Sequence, residues 1–172
     1  LRVLTVGAFS FRKGAVDLVR VARTLAGRVQ FRFVGDMPLE TTKLRLDNQD
    51  AIEFVKRVPE FELSQHYRWA DLFLFPTIED GFPAVVAQAQ ASGLPVITTP
   101  NGSGPDLVRD GEDGWIVPIR NPEAIVAILD ACDRNRLTLA KIVRANAVTR
   151  SSRDWAAMAA DLETELARQS SL

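Results

Sequence analysis

The sequence predicts an α/β fold with a mostly parallel sheet of about six strands and helices on both faces, and three observations predict it. Short apolar runs over residues 1–6, 29–34, 51–55, 72–75, 94–98 and 115–118 alternate with stretches suited to helices. The runs at 72–75 and 94–98 are apolar almost throughout, as strands buried on both faces of a parallel sheet are. Turn residues punctuate the joins, among them Gly7, Gly35-Asp-Met-Pro38 and Gly93.

Taken in order, the first strand runs into Gly7-Ala-Phe-Ser-Phe-Arg-Lys-Gly14 and then a helix over about 15–26. A glycine at the strand end lets backbone approach a ligand, and Arg12 and Lys13 set cations beside the loop. A solvated helix entrance is the alternative role for those two cations. Val16 and Val19 are expected on a different helical face from Arg20 and Arg23. Residues 29–34 form the second strand, 39–50 one irregular helix and 51–55 the third strand, followed by Lys56-Arg-Val-Pro59. A short helix over 63–70, capped by Ser64 or Glu62, carries His66 and Tyr67. With no Asp or Ser partner at a recognisable spacing, His66 reads as a surface or packing residue.

The strand at 72–75 leads into Ile78-Glu-Asp-Gly-Phe-Pro-Ala-Val-Val-Ala-Gln-Ala-Gln-Ala-Ser-Gly93, which the rest of the chain is built to hold. Pro83 suits the first turn of a helix, and Gly93 suits its left-handed end. Asp80, Gly81 and Phe82 therefore stand at the helix mouth. A helix that starts from the carboxyl edge of a parallel sheet turns free N–H groups toward the ligand crevice, so an anionic ligand is expected. Gln88 follows Gly81 by two helical turns and Asp80 by about 12 Å of axis, placing two polar groups at opposite ends of an extended ligand.

Beyond this segment, 98–106 is a small-residue loop feeding a short helix to about 109, with Asp106 expected to cap it. A turn at 110–114 precedes the last strand. Asn121-Pro-Glu123 starts a helix whose Ile125, Ile128, Leu129 and Cys132 keep helical spacing, making Cys132 a core filler. Further helices are expected over 136–148 and 152–169, with Trp155, Met158, Leu162 and Leu166 on one stripe.

Composition excludes several classes. At 47% hydrophobic and 25% charged, the 172 residues have the balance of a soluble globular domain. Opposed totals of 21 basic and 22 acidic residues give no field to steer nucleic acid or anionic membranes. A single cysteine and a single histidine leave no disulfide framework and no Cys- or His-rich metal site. No apolar run is long enough to span a membrane.

The run Asp80-Gly-Phe-Pro-Ala-Val-Val-Ala-Gln88-Ala-Gln-Ala-Ser-Gly93-Leu-Pro-Val-Ile97 resembles the signature of the retaining nucleotide-sugar glycosyltransferases of group 1, family 4. These enzymes have two Rossmann-like domains in the GT-B architecture. Their pattern is Glu-Gly-Phe-Gly, a second Glu eight positions after the first, and a small-residue helix ending in Gly-x-Pro-Val-Ile. Asp80 and Gln88 occupy the two acidic positions. Lys13-Gly14 matches the family's Lys-Gly, whereas Ala8 stands where the family has Arg; Val34-Gly-Asp36 and Ala70-Asp71 with Pro76 match further turns and strand entrances.

This resemblance implies that residues 1–172 are a single Rossmann-like nucleotide-sugar-binding domain, a three-layer sandwich with a helical C-terminal third. It would be the C-terminal half of an enzyme whose N-terminal acceptor domain is absent. It further implies transfer of a sugar, of hexosyltransferase type, from a nucleotide-diphospho-sugar to an acceptor with retention, and little or no turnover by this piece alone. Asp80 and Lys13 would be the catalytic pair. Gly7, Arg12, Lys13, Gly81, Phe82 and Pro83 would hold the diphosphate, Arg57 and Val58 the base, Gln88 the ribose, and Gly102, Ser103 and Gly104 would adjoin the sugar. No cofactor beyond the donor and no metal is expected. Partners would be the donor and the acceptor domain, with no nucleic acid, in a cytoplasmic setting where any membrane-peripheral attachment lies in the other half. A non-catalytic nucleotide-sugar-binding relic or scaffold, and a sugar-nucleotide epimerase of the same architecture, stay open. A flavodoxin-like phospho-receiver would need an Asp where Gly7 stands.

Overall fold

The computed structural model describes residues 1–149 except Phe82 and Ser103, together with Ala160, Glu163 and Arg168. Six strands, β1 (Arg2–Ala8), β2 (Gln30–Asp36), β3 (Ile52–Lys56), β4 (Leu72–Phe75), β5 (Val96–Thr98) and β6 (Gly114–Ile116), form one sheet in the order β3-β2-β1-β4-β5-β6. Every pairing is parallel. Around it lie α1 (Ala15–Thr24), α2 (Thr42–Leu46), α3 (Glu60–Trp69), α4 (Ala84–Ala91), α5 (Gly104–Leu107), α6 (Pro122–Arg134) and α7 (Arg136–Thr149), with 3-10 turns at Phe11–Lys13 and Leu39–Thr41. The α/β, Rossmann-like expectation is borne out.

Successive side chains of β4 point to opposite faces, and both faces are covered. Leu72 and Leu74 join a core with Leu18, Val21, Ile125 and Leu129 beneath α1 and α6. Phe73 and Phe75 join the opposite core, with Tyr67 of α3 and Val86 and Ala89 of α4. A strand sandwiched in this way needs apolar residues at every position, which is why 72–75 shows no alternation.

The strand order reverses at β1. From there the chain builds outward through β2 and β3, then returns to place β4, β5 and β6 on the other side. The chain leaving β1 enters a helix on one face of the sheet and the chain leaving β4 a helix on the other, and the carboxyl edge at such a switch is where these sheets take ligands. Two glycines allow close approaches beside it. Gly14 has φ 77, and a Cβ there would lie 1.9 Å from the Pro76 carbonyl oxygen. Gly35 has φ 146, and a Cβ would lie 1.8 Å from the Gly7 carbonyl oxygen, its partner in the β1–β2 register.

Several local expectations are corrected. α3 starts at Glu60 after Pro59, so neither Ser64 nor Glu62 caps it; Glu60 and Glu62 instead set two carboxylates in its first turn, favoured by the helix dipole. Pro83 lies just outside α4, at its N-cap. Asp106 is inside α5 rather than before it. Val16 is 36% exposed and shares the solvent side with Arg20, while Val19 is buried. Asn121 does cap α6, accepting the Ala124 N–H at 3.0 Å, and Cys132 is buried, its thiol pKa pushed up by burial. The helix expected over 152–169, with Trp155, Met158, Leu162 and Leu166, lies outside the described residues. Among the described residues no helix is long and apolar enough to cross a membrane.

Gly14 and Gly27 have almost the same φ, 77 and 78, but nothing lies within 4 Å of a Cβ on Gly27. Gly27→Ala should therefore cost only the left-handed penalty, about 1 kcal/mol. Gly14→Ala adds a collision with the β4 loop and should cost about 3 kcal/mol or more. Urea denaturation of the two variants checks the difference; equal losses would contradict the close approach.

Candidate functional site

A cleft of ≈ 440 Å³ opens at the carboxyl edge of the sheet. Gly7 and Ala8 of β1 form its floor, Gly35 and Asp36 of β2 and Arg57 and Val58 after β3 one side, and Val85 and Gln88 of α4 the other. From β3 to β4 is three strand spacings, about 14 Å, enough for an elongated ligand laid across the sheet.

Beside the α4 end, the loops after β1 and β4 are clasped. The Arg12 carbonyl accepts the N–H of Ile78 at 2.9 Å and of Glu79 at 3.4 Å, and the Thr77 hydroxyl at 3.3 Å. Thr99 Oγ1 donates to the Thr77 carbonyl at 2.6 Å, Asn101 Nδ2 to the Ile78 carbonyl at 3.1 Å, and Asp80 N–H to the Asn101 carbonyl at 3.0 Å. This clasp brings together the two residues expected to be catalytic. Lys13 Nζ forms an ion pair with Asp80 Oδ2, donates to the Glu79 carbonyl at 3.3 Å and lies 5.9 Å from the Phe75 ring centroid. With side chains 14% and 20% exposed, the pair is held yet reachable from solvent.

Gln88 is also held. Its Oε1 accepts from the Tyr67 hydroxyl at 3.0 Å, and the same hydroxyl lies 3.3 Å from the Val85 carbonyl. With its oxygen engaged, the Gln88 amide has N–H donors left for the cleft. Burial holds the Tyr67 hydroxyl neutral, pushing its pKa well above the ordinary value.

Gly7, Arg57, Val58 and Gln88 therefore share the cleft, while Lys13 and Asp80 adjoin it. Arg57 Nη1 makes a loose pair with Asp36 Oδ2 at 3.5 Å. The Arg12 side chain is exposed and lines none of the cleft, so its visible contribution is its carbonyl and not its charge. Gly81 and Pro83 stand at the mouth of α4; Phe82 and Ser103 lie outside the described residues. Gly102 packs against this loop, since a Cβ there would lie 2.6 Å from Thr77 Cγ2 and 3.5 Å from Asp80 Cβ. His66 is half-buried and away from the cleft, its pKa lowered by burial and by Arg32. No site role was legible in the sequence for Thr77, Thr99, Asn101 or Tyr67. The first three act through loop hydrogen bonds that have no spacing signature, and Tyr67 meets Gln88 only once α3 packs beside α4. Among the described residues no group of three His, Cys, Asp or Glu side chains is arranged to hold a metal.

The family model for glycosyl transferases group 1 matches residues 1–133. The chain belongs to this family. Amylovoran biosynthesis glycosyltransferase AmsK of Erwinia amylovora is 28% identical over 142 residues, covering 75% of this chain and 35% of that protein. The putative colanic acid biosynthesis glycosyltransferase WcaL of Salmonella typhimurium is 30% identical over 142 residues, with the same coverage of 75% and 35%. The chain thus spans about a third of the length of these relatives. In fold it is similar to HepE of Anabaena, solved in complex with UDP, at a TM-score of 0.82 and 19% identity over 97% of this chain and 48% of that one. The C-terminal domain of LpcC from Francisella tularensis gives 0.75 and 19% over 84% and 82%. Family membership and fold therefore agree.

Tyr67 is the one tyrosine in the chain, so its titration is read directly by phenolate absorbance. Its folded pKa is raised, so stability is full below the unfolded value near 10 and falls as pH rises beyond it toward the folded value. The native protein should show no phenolate at pH 10.5, where the chain in urea is mostly ionised. Ionisation of the folded protein near pH 10 would contradict the buried Tyr67–Gln88 contact.

Proposed function

We propose that this chain binds a nucleotide-diphospho-sugar donor and, with an N-terminal acceptor domain of the same parent enzyme, transfers a hexose to an acceptor with retention. The observation that carries the reading is the Lys13–Asp80 pair, set at the topological switch beside a cleft that ends in Gln88. The base lies over β2 and β3 near Arg57 and Val58, the ribose reaches Gln88, and the diphosphate turns toward Lys13, Gly7 and the mouth of α4.

In the transfer, the bond from the anomeric carbon to the diphosphate oxygen breaks with its electrons leaving on that oxygen. An acceptor hydroxyl oxygen bonds the same carbon on the same face, and the acceptor's proton leaves with the diphosphate. Charge therefore grows on the diphosphate, where Lys13 and the first amides of α4 stabilise it. Asp80 keeps Lys13 oriented through Oδ2 and offers Oδ1 to a sugar hydroxyl. Asp80 and Lys13 are the proposed catalytic residues. The reading as a silent relic draws on Ala8 and Gln88, but the intact Lys13–Asp80 pair supports an enzyme.

Because Asp80 pairs with Lys13, the two residues have opposite effects on a sugar-free nucleotide. In calorimetric titrations with nucleoside diphosphates, Lys13→Ala should weaken binding roughly ten- to hundredfold. Asp80→Asn should tighten it several-fold by freeing Lys13, and Gln88→Ala should weaken it by about tenfold or less. This chain alone should give little or no turnover with any donor. Unchanged affinity in Lys13→Ala would overturn the assignment of the diphosphate site, and robust transfer by the isolated chain would overturn the requirement for an acceptor domain.

A further inference from the structure

We infer that Asp36 and Arg57 read the base, and that the base they select is guanine. The inference rests on the donor-site reading and adds to it the class of nucleotide. At the end of the cleft away from Gln88, Asp36 Oδ2 and Arg57 Nη1 stand 3.5 Å apart, with side chains 59% and 77% exposed. A pair so loose and so open is readily parted by a ligand that gives each partner a better bond. Neither side chain is committed to the core, and both border the space the base must fill.

The shape of the space and the charge order point the same way. Past the pair, the cleft continues into a second hollow of ≈ 500 Å³ that shares Gly35, Asp36 and Arg57 and adds Arg45 and Lys56, so there is room for two fused rings. A carboxylate beside a guanidinium calls for a ligand edge with two adjacent donors next to two adjacent acceptors. Guanine has that edge: N7 and O6 accept, and N1–H and the 2-amino group donate. Arg57 can fork onto N7 and O6 while Asp36 accepts from N1–H and the 2-amino group, both charge-assisted. Uracil shows one donor between two carbonyl oxygens, and adenine one amino group between two ring acceptors, so a carboxylate that reaches either donor also meets a lone pair.

The test compares guanosine, inosine, adenosine and uridine 5′-diphosphates by calorimetry on the chain and on Asp36→Ala. Inosine diphosphate lacks only the 2-amino group. The wild-type chain should bind guanosine diphosphate tightest, with the inosine compound weaker by roughly tenfold. Asp36→Ala, a surface change whose fold is checked by circular dichroism, should bring the guanosine-to-inosine ratio close to one. Tighter binding of the uridine or adenosine compound, or an unaltered ratio in Asp36→Ala, would overturn the guanine assignment while leaving the donor site standing. Failure to bind any of the four would overturn the donor-site reading itself and this inference with it.

Discussion

The close contact between the loops after β1 and β4 is the constraint on which the rest of the site depends. Gly14 lies against the Pro76 carbonyl with no room for a side chain, and the Arg12 carbonyl is bound by three consecutive residues of the opposing loop. Lys13 is flanked by these two anchors. Its ammonium is thereby delivered to Asp80, with the Glu79 carbonyl and the Phe75 ring as its further contacts. A flexible cation has become a positioned one because the backbone on either side of it cannot move away. The loop of Thr99 and Asn101 does the same for the 77–80 segment from the other direction.

Much of this could be read from the chain itself. Uniformly apolar short runs mean strands covered on both faces, and their alternation with helices leaves few topologies. Lys13-Gly14 and the segment from Asp80 to Gly93 marked the two loops that meet, and the structure puts Lys13 on Asp80. What the sequence could not show depends on packing at a distance. Gln88 follows Asp80 at a readable spacing, but Tyr67 reaches it from another helix, 21 positions earlier. Arg12 was read as a cation because its side chain is one, yet its contribution here comes from its carbonyl, a group every residue carries. Asp36 was legible only as part of a turn, since its pairing with Arg57 requires β2 and β3 to lie side by side.

Gln88 shows how a changed residue can keep a position useful with its chemistry altered. A carboxylate there would accept from two ribose hydroxyls; the amide, with Oε1 held by Tyr67, instead presents donors, and a hydroxyl oxygen can accept from them. Lacking a charge, Gln88 adds no fixed negative group beside the proposed diphosphate position. Ala8 removes a cation from the same floor, so the two departures offset each other in net charge: one positive and one negative group are absent together. Lys13, Asp80 and the end of α4 then make up the fixed electrostatics at that end of the cleft.

The central claim is that a nucleoside diphosphate lies across the sheet with its phosphates at Lys13. A crystal structure of the chain soaked with a nucleoside diphosphate measures this most directly. The account predicts the terminal phosphate within hydrogen-bond reach of Lys13 Nζ, the ribose at Gln88, and the base between Asp36 and Val58. A nucleotide bound with its phosphates away from Lys13, or seated at the opposite edge of the sheet, would contradict it.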